Sequence, residues 1–274
     1  MERSRPRIIG VDFTSAPRRA KPITVALCSL RDSILELTEL LAIHDFGGFD
    51  RLLATRGPWI GGFDFPFGLP REAVGELGWP LSWPEMVMHC GSLGRAAFTE
   101  ASDRLRSARP AGNKYPKRRG DNCARSHSPM KCVRPPVGWM FLEGAPRLLR
   151  AGVEIPGLCH GDSTRIAVEA YPGLFARAVV GYKSYKHDSP RKQNTERKTA
   201  RRLIWTRMTR GDNPLDITVR ASAPAAGRIL ADGTGDFLDA VICAMQASWA
   251  WHRRKDHFGL PREMDPLEGW IVSA

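Results

Sequence analysis

Long apolar runs are missing from this sequence. None approaches the roughly 18 residues of a membrane-spanning helix, so no membrane association is expected. The opening MERSRPRIIGVDF places basic residues before an apolar run. Asp12 ends that run after four residues, too few for the apolar core of a secretory signal, and the expected location is the cytoplasm. Low-complexity tracts and internal repeats are absent as well. What is left is an ordinary globular composition, 42% hydrophobic and 26% charged over 274 residues, enough chain for one large domain with a sizeable core.

Paired CxxC motifs are also missing. The six cysteines (Cys28, Cys90, Cys123, Cys132, Cys159, Cys243) are scattered and read as reduced, mostly buried thiols. Cys123, His127 and Cys132 are spaced loosely like zinc ligands, with Cys159 or His160 able to supply a fourth. Without a paired motif the signal for a structural zinc is weak.

Acids are the scarce charge, 29 against 41 bases, for a net +12. The excess is concentrated. Arg104 to Arg134 holds ten Lys/Arg against one acid, and Arg177 to Arg210 holds eleven against two. The remainder of the chain is therefore mildly acidic. Two basic patches on an acidic body favour a polyanionic partner, and nucleic acid above others.

Periodicity predicts an α/β domain. RIIGVDFTSAP, PITVALCSL and ILELTELLAI read as three strands joined by turns, GGFDRLLATRG as a short helix closed by Gly57, and PWIGGFDFPFGLP as a fourth strand. Residues 71–160 break this rhythm with proline, glycine and the first basic patch. They are expected to form an insertion, partly helical around Ser92–Arg106 and flexible near Ala111–Arg125. TRIAVEAYPGLFARAVVG opens with a fifth strand ended by Pro172 and Gly173, NTERKTARRLIWTRM reads as a helix capped by Asn194, and Pro214–Leu230 as a further helix. The last helix is GDFLDAVICAMQASWAW.

That last helix begins with Asp236 and Asp239, three residues apart and so on one face. The helix dipole stabilises each by about 0.3–1 kcal/mol and their repulsion costs a few tenths. Those terms roughly cancel, so the dipole tolerates the pair without explaining it. Three predicted strands also carry an acid near the carboxyl end, with proline soon after: Asp12, Asp64 and Glu169. Acids at the ends of neighbouring parallel strands converge on the crevice where α/β sheets bind ligands. Carboxylates so close need protons or a cation, and a hard divalent ion such as Mg²⁺ or Mn²⁺ suits them. Singly, each has a local explanation: Asp236 as a helix cap, Asp12 as a turn residue, Asp64 or Glu169 as the partner of an arginine. Five acids at element ends favour the joint reading.

IIGVDFTSAP, GFDFPFGLP, VEAYPGLF, GDFLDAVICAM and the terminal EGWI resemble the landmarks of the domain of unknown function family 429, predicted nucleases of ribonuclease H-like fold. The wider resemblance is to RuvC-type Holliday-junction resolvases. It implies a mixed five-stranded sheet flanked by helices, residues 1–274 forming one domain, with 71–160 inserted after the fourth strand. Carried over, Asp12, Asp64, Asp236 and Asp239 would be the metal ligands, with Glu169 a supporting acid. The fourth-strand acid is usually glutamate in the resolvases and is the shorter aspartate here. EAYPGLFARAVVG followed by lysines is similar to their fifth strand and basic turn, which implies phosphate contacts for Lys183 and Lys186. The expectation is a metal-dependent nuclease hydrolysing phosphodiester bonds with two Mg²⁺ or Mn²⁺ ions, and the resemblance to the resolvases implies a homodimer. Two alternatives stand beside it: a nucleic-acid-binding protein without catalysis, and a phosphotransferase or ATPase of the actin-like group, which GVDFTSA and DGTGD faintly resemble. Lys117, Arg118 and Arg119 form a basic cluster with no assigned target, and Trp79 and Trp83 read as packing before base stacking.

Overall fold

The computed structural model describes residues 5–274. Its first strands, β1 (Arg7–Asp12), β2 (Ile23–Arg31) and β3 (Ile34–Ile43), form an antiparallel meander. Helix α1 (Phe46–Leu53) follows, capped by Asp45, whose carboxylate accepts from the Gly48 amide at 2.7 Å. The chain then returns as β4 (Trp59–Asp64), parallel to β1. Residues 71–160, the segment expected to be an insertion, supply α2 (Arg71–Glu76), α3 (Trp83–Ser107), α4 (Arg119–Ala124) and α5 (Val137–Ala151). Next come β5 (Val153–Glu154) and β6 (Asp162–Glu169), with β6 parallel to β4. The remainder is α6 (Pro172–Val180), α7 (Thr195–Arg210), β7 (Thr218–Arg220), α8 (Ala223–Ala231) and α9 (Asp236–His252).

The result is an α/β fold with a mixed sheet in the order β5-β6-β4-β1-β2-β3-β7. Five strands were expected and seven form among the described residues. The two extra, β5 and β7, are two and three residues long, below the length at which side-chain alternation can signal a strand. The strand was expected to end at Pro172 and Gly173; it ends at Glu169, and the residues that follow, for which no element was predicted, form helix α6. Pro172 occupies its first turn, where no amide donor is needed, and Gly181 follows its last residue. The stretch near Ala111–Arg125, expected to be flexible, carries α4. The helix expected over Pro214–Leu230 shortens to α8, because Thr218–Arg220 pairs with β3. Among the described residues no helix is long and apolar enough to cross a membrane.

Helices cover both faces of the sheet. On one face Ile9, Val11, Phe63, Phe65 and Phe67 pack with Trp83, Met86 and Phe98 of α3 and Phe141 of α5. Trp79 and Trp83 are buried there, and Trp83 Nε1 donates to the Phe67 carbonyl at 2.7 Å. On the other face Ile8, Ile60, Ile166 and Val168 pack with α6, α7 and α9. Helix α9 lies against the sheet centre and is buried along most of its length.

Two glycines permit that depth. Gly10 and Gly62 are register partners on β1 and β4, on the α9 face by alternation with Ile8 and Ile60. A Cβ on Gly10 would fall 2.0 Å from the Ala240 carbonyl oxygen, and one on Gly62 2.3 Å from that of Cys243. Gly10→Ala is expected to lower unfolding free energy by about 3 kcal/mol, the upper end for an overpacked core. A urea midpoint unchanged from wild type would contradict this packing.

Candidate active site at the carboxyl ends of β1 and β4

The alternation that sends Gly10 and Gly62 toward α9 sends Asp12 and Asp64 the same way one step later. These two are register partners as well, so their carboxylates leave adjacent parallel strands on one side. There they meet the first turn of α9. Gly235, at φ 76°, starts that helix, and Thr24 Oγ1 donates to the Asp236 carbonyl at 2.8 Å. Asp236 and Asp239 are both buried in this first turn.

Two ammonium groups enter the cluster. Lys21 comes from the turn between β1 and β2, and its Nζ lies 3.0 Å from both Asp236 oxygens and 3.1 Å from Asp188. Lys186 comes from the loop after α6 and pairs with Asp239, whose other oxygen accepts from the Tyr185 hydroxyl at 2.6 Å. Arg201 of α7 fixes this loop by donating to the Tyr185 carbonyl at 2.8 Å.

Asp12 and Asp64 receive no hydrogen bond from the described residues. Burial and the Asp236 charge hold the Asp12 carboxyl well above its ordinary range, against the pull of Lys186. Burial pushes Asp64 up to about 7, with Lys186 opposing and Asp239 adding to the rise. Burial also raises Asp239, relieved in part by Lys186. Lys186 is itself disfavoured by burial, yet Asp239, Tyr185 and Asp12 outweigh that and keep it firmly protonated. With all groups charged, Asp12, Asp64, Asp236 and Asp239 against Lys21 and Lys186 leave the charge deficit of one divalent cation, the exposed Asp188 on Lys21 being left to solvent.

The site thus unites Asp12, Asp64, Asp236, Asp239 and Lys186 of the residues singled out in the sequence. Two others lie elsewhere. Glu169, read as a fifth acid of this set, pairs in register with Phe63 rather than Asp64, and that one-residue offset turns it to the opposite face. There Arg118 holds it, Nη2 to Oε1 at 2.6 Å and Nη1 to Oε2 at 2.7 Å, while the Phe67 amide donates at 2.9 Å. Lys183, read as a phosphate ligand, is exposed on the loop after α6, with its backbone amide on the Val180 carbonyl. Arg118, placed in an untargeted basic cluster, is only 1% exposed. Besides Glu169 it binds Asp121 through Nε at 3.0 Å and Nη2 at 2.8 Å, and the Glu268 carbonyl at 3.0 Å. Cys132 is buried while Cys123 and His127 are exposed, so the three do not form a common site.

Lys21, Tyr185 and Arg118 went unrecognised in the sequence. Lys21 had one available signal, its place in the turn that follows Asp12. Nothing in the sequence separates Arg118 from its basic neighbours except an acid three residues on.

Among the described residues, no group of three or more His, Cys, Asp or Glu side chains is disposed as a ready-made metal-ligand set. Asp12 and Asp64 nevertheless fit a hard divalent ion in chemistry: all-oxygen donors, Asp12 buried and Asp64 half-buried, adjacent and with no ion-pair partner of their own among the described residues. Asp236 and Asp239 already hold ammonium groups. The arrangement defines an α/β protein with a carboxylate–lysine cluster at the carboxyl ends of two parallel strands. Comparison with family models, curated proteins and solved structures finds no match to this chain.

Proposed function

We propose that this chain is a metal-dependent hydrolase of phosphodiester bonds in nucleic acid, built on a ribonuclease H-like core. One observation supports it above others. Asp12 and Asp64 are adjacent carboxylates with no ion-pair partner of their own among the described residues, facing a lysine-bearing rim at the carboxyl ends of the strands, where α/β proteins take ligands. Asp12 and Asp64 would hold Mg²⁺ or Mn²⁺, with Asp236 and Asp239 completing the negative field. Such an ion, when bound, supplies an acidified water and charge stabilisation at phosphorus.

The chain's own groups supply the remainder. Lys186, oriented by Asp239 and Tyr185, presents a fixed positive charge to a phosphate entering over Asp64. Lys21 does the same from the β1–β2 turn, held by Asp236 and Asp188. Burial of the acids keeps the local dielectric low, which strengthens both interactions. A second ion, as in the resolvases, requires Asp236 and Asp239 to exchange their ammonium partners for metal. With the lysines in place, the charge matches one ion.

The test is cleavage of a panel of single-stranded, duplex and branched DNA and RNA with Mg²⁺ or Mn²⁺, reversed by EDTA. Asp12→Asn is expected to lower that cleavage by about 100-fold or more, since the ion contributes several kcal/mol to the barrier. Its circular dichroism should remain that of wild type. Undiminished cleavage by Asp12→Asn would remove this residue from the reaction. A second reading, nucleic-acid binding without turnover, is favoured by one feature: Lys21 and Lys186 already neutralise half of the acids. Salt-sensitive binding with no cleavage of any panel member under either ion selects it.

A further inference from the structure

Tyr182 is 83% exposed, the most exposed large hydrophobic side chain of the described residues. A solitary surface ring needs no explanation, but this one is held. Its hydroxyl accepts from Arg125 Nη1 at 2.6 Å, which ties the loop after α6 to the end of α4. Arg177 of α6 lies next to this pair, with Nη1 on the Ala124 carbonyl at 2.8 Å and Nη2 3.5 Å from the Arg125 carbonyl. The Arg177 guanidinium lies 6.0 Å from the Tyr171 ring centre, and its Nη2 is 3.4 Å from the Tyr171 hydroxyl.

Tyr171 in turn sits just past the carboxyl end of β6, beside the β4 end that carries Asp64. Its ring is seated over Gly173, where a Cβ would come within 2.6 Å of Cζ. Tyr171, Arg177, Arg125 and Tyr182 therefore make one continuous ledge from the acid cluster out onto the insertion. Neither arginine pairs with a carboxylate among the described residues, so both keep their charge available.

A fixed ring between cations matches unpaired nucleotides better than a duplex. A single strand offers a free base face to the ring while its phosphates lie along the arginines; inside a duplex that face is already stacked. Resting on the hydrolase reading above, we infer that this ledge seats single-stranded nucleic acid beside the acid cluster. A base stacks on Tyr182, and Arg125 and Arg177 take the adjoining phosphates.

Binding in EDTA separates this inference from the hydrolase reading, because no turnover is needed. The probes are a fluorescein-labelled single strand of about 20 nucleotides, as DNA and as RNA, and a hairpin duplex, followed by anisotropy. Tyr182→Ala is expected to weaken single-strand binding by about 5- to 100-fold, the span of one lost stacking contact. Tyr182→Phe should retain most of the affinity, because the face of the ring remains. Duplex binding should change less than about twofold in Tyr182→Ala, since only phosphate contacts support it. Wild-type binding with Tyr182→Ala unchanged overturns the ledge and leaves the hydrolase reading standing. Equal losses for single strand and duplex overturn the commitment to unpaired nucleotides. No binding of any probe by wild type overturns the ledge, while the hydrolase reading is decided by the cleavage panel with Mg²⁺ or Mn²⁺.

Discussion

Asp64→Asn is expected to abolish divalent-dependent cleavage and, at the same time, to make the metal-free protein more stable at pH 8. The two effects have one cause. Asp64 is pushed from 3.8 up to about 7 by burial and the negative charges around it. A carboxyl whose folded-state value lies above its unfolded one favours folding at low pH, and that contribution is lost as pH rises. The loss runs between about pH 4 and pH 7 and is complete above it. Full burial would make it about 4 kcal/mol; Asp64 is only half-buried, and screening by solvent brings the expectation nearer 2 kcal/mol. Asparagine keeps the shape and removes the charge. Thermal melts in EDTA should therefore place Asp64→Asn above wild type by about 4–8 °C at pH 8, converging near pH 4. Mn²⁺ should raise the wild-type melting temperature and leave the variant unmoved. A variant less stable than wild type at pH 8 would mean that Asp64 is satisfied by partners and is not held ready for a cation.

The same charge argument shows what could be read in the sequence. The acids at the strand ends and the opening pair of α9 were legible because each sits where periodicity changes, and periodicity is a local signal. Strands β1 to β4, helix α7 with its Asn194 cap and helix α9 were visible for the same reason. Glu169 was not placed correctly because its position depends on register against β4. Register is fixed by contacts more than a hundred residues apart, and a slip of one residue exchanges the two faces of a sheet. Asp12 and Asp64 align while Glu169 aligns with Phe63, so acids that look equivalent in sequence separate onto opposite sides. The ammonium partners were hidden by number. With 41 Lys and Arg in the chain, no local pattern singles out Lys21 or Arg118, and Lys186 stood out only alongside Lys183, which lies outside the cluster. Only the fold, by burying the acids, selects which cations must follow them inside.

Arg118 carries the largest structural consequence of that selection. Arg118→Met is expected to lower unfolding free energy by about 3–5 kcal/mol, because it strands Asp121 and Glu169 in the interior without a counter-charge. The loss should depend on pH in a stated direction. Burial already raises Glu169 above its ordinary 4.5, and Arg118 is the chief group that relieves it. Without that guanidinium the carboxyl moves further up, so folding of the variant is favoured at low pH and weakened as pH rises above about 4.5. The deficit relative to wild type should accordingly shrink on acidification toward pH 4.5. Adding Glu169→Gln should recover part of it at neutral pH, since the glutamine amide carries no charge to be stranded. The same substitution decides the role of Glu169. Glu169→Gln alone should keep divalent-dependent cleavage within about threefold of wild type at a temperature where it is folded, against losses of about 100-fold for a metal-holding acid. A 100-fold loss from Glu169→Gln, with urea unfolding little changed, would return this side chain to the reaction. It would also mean that α4 and its arginine yield Glu169 to the site when substrate binds.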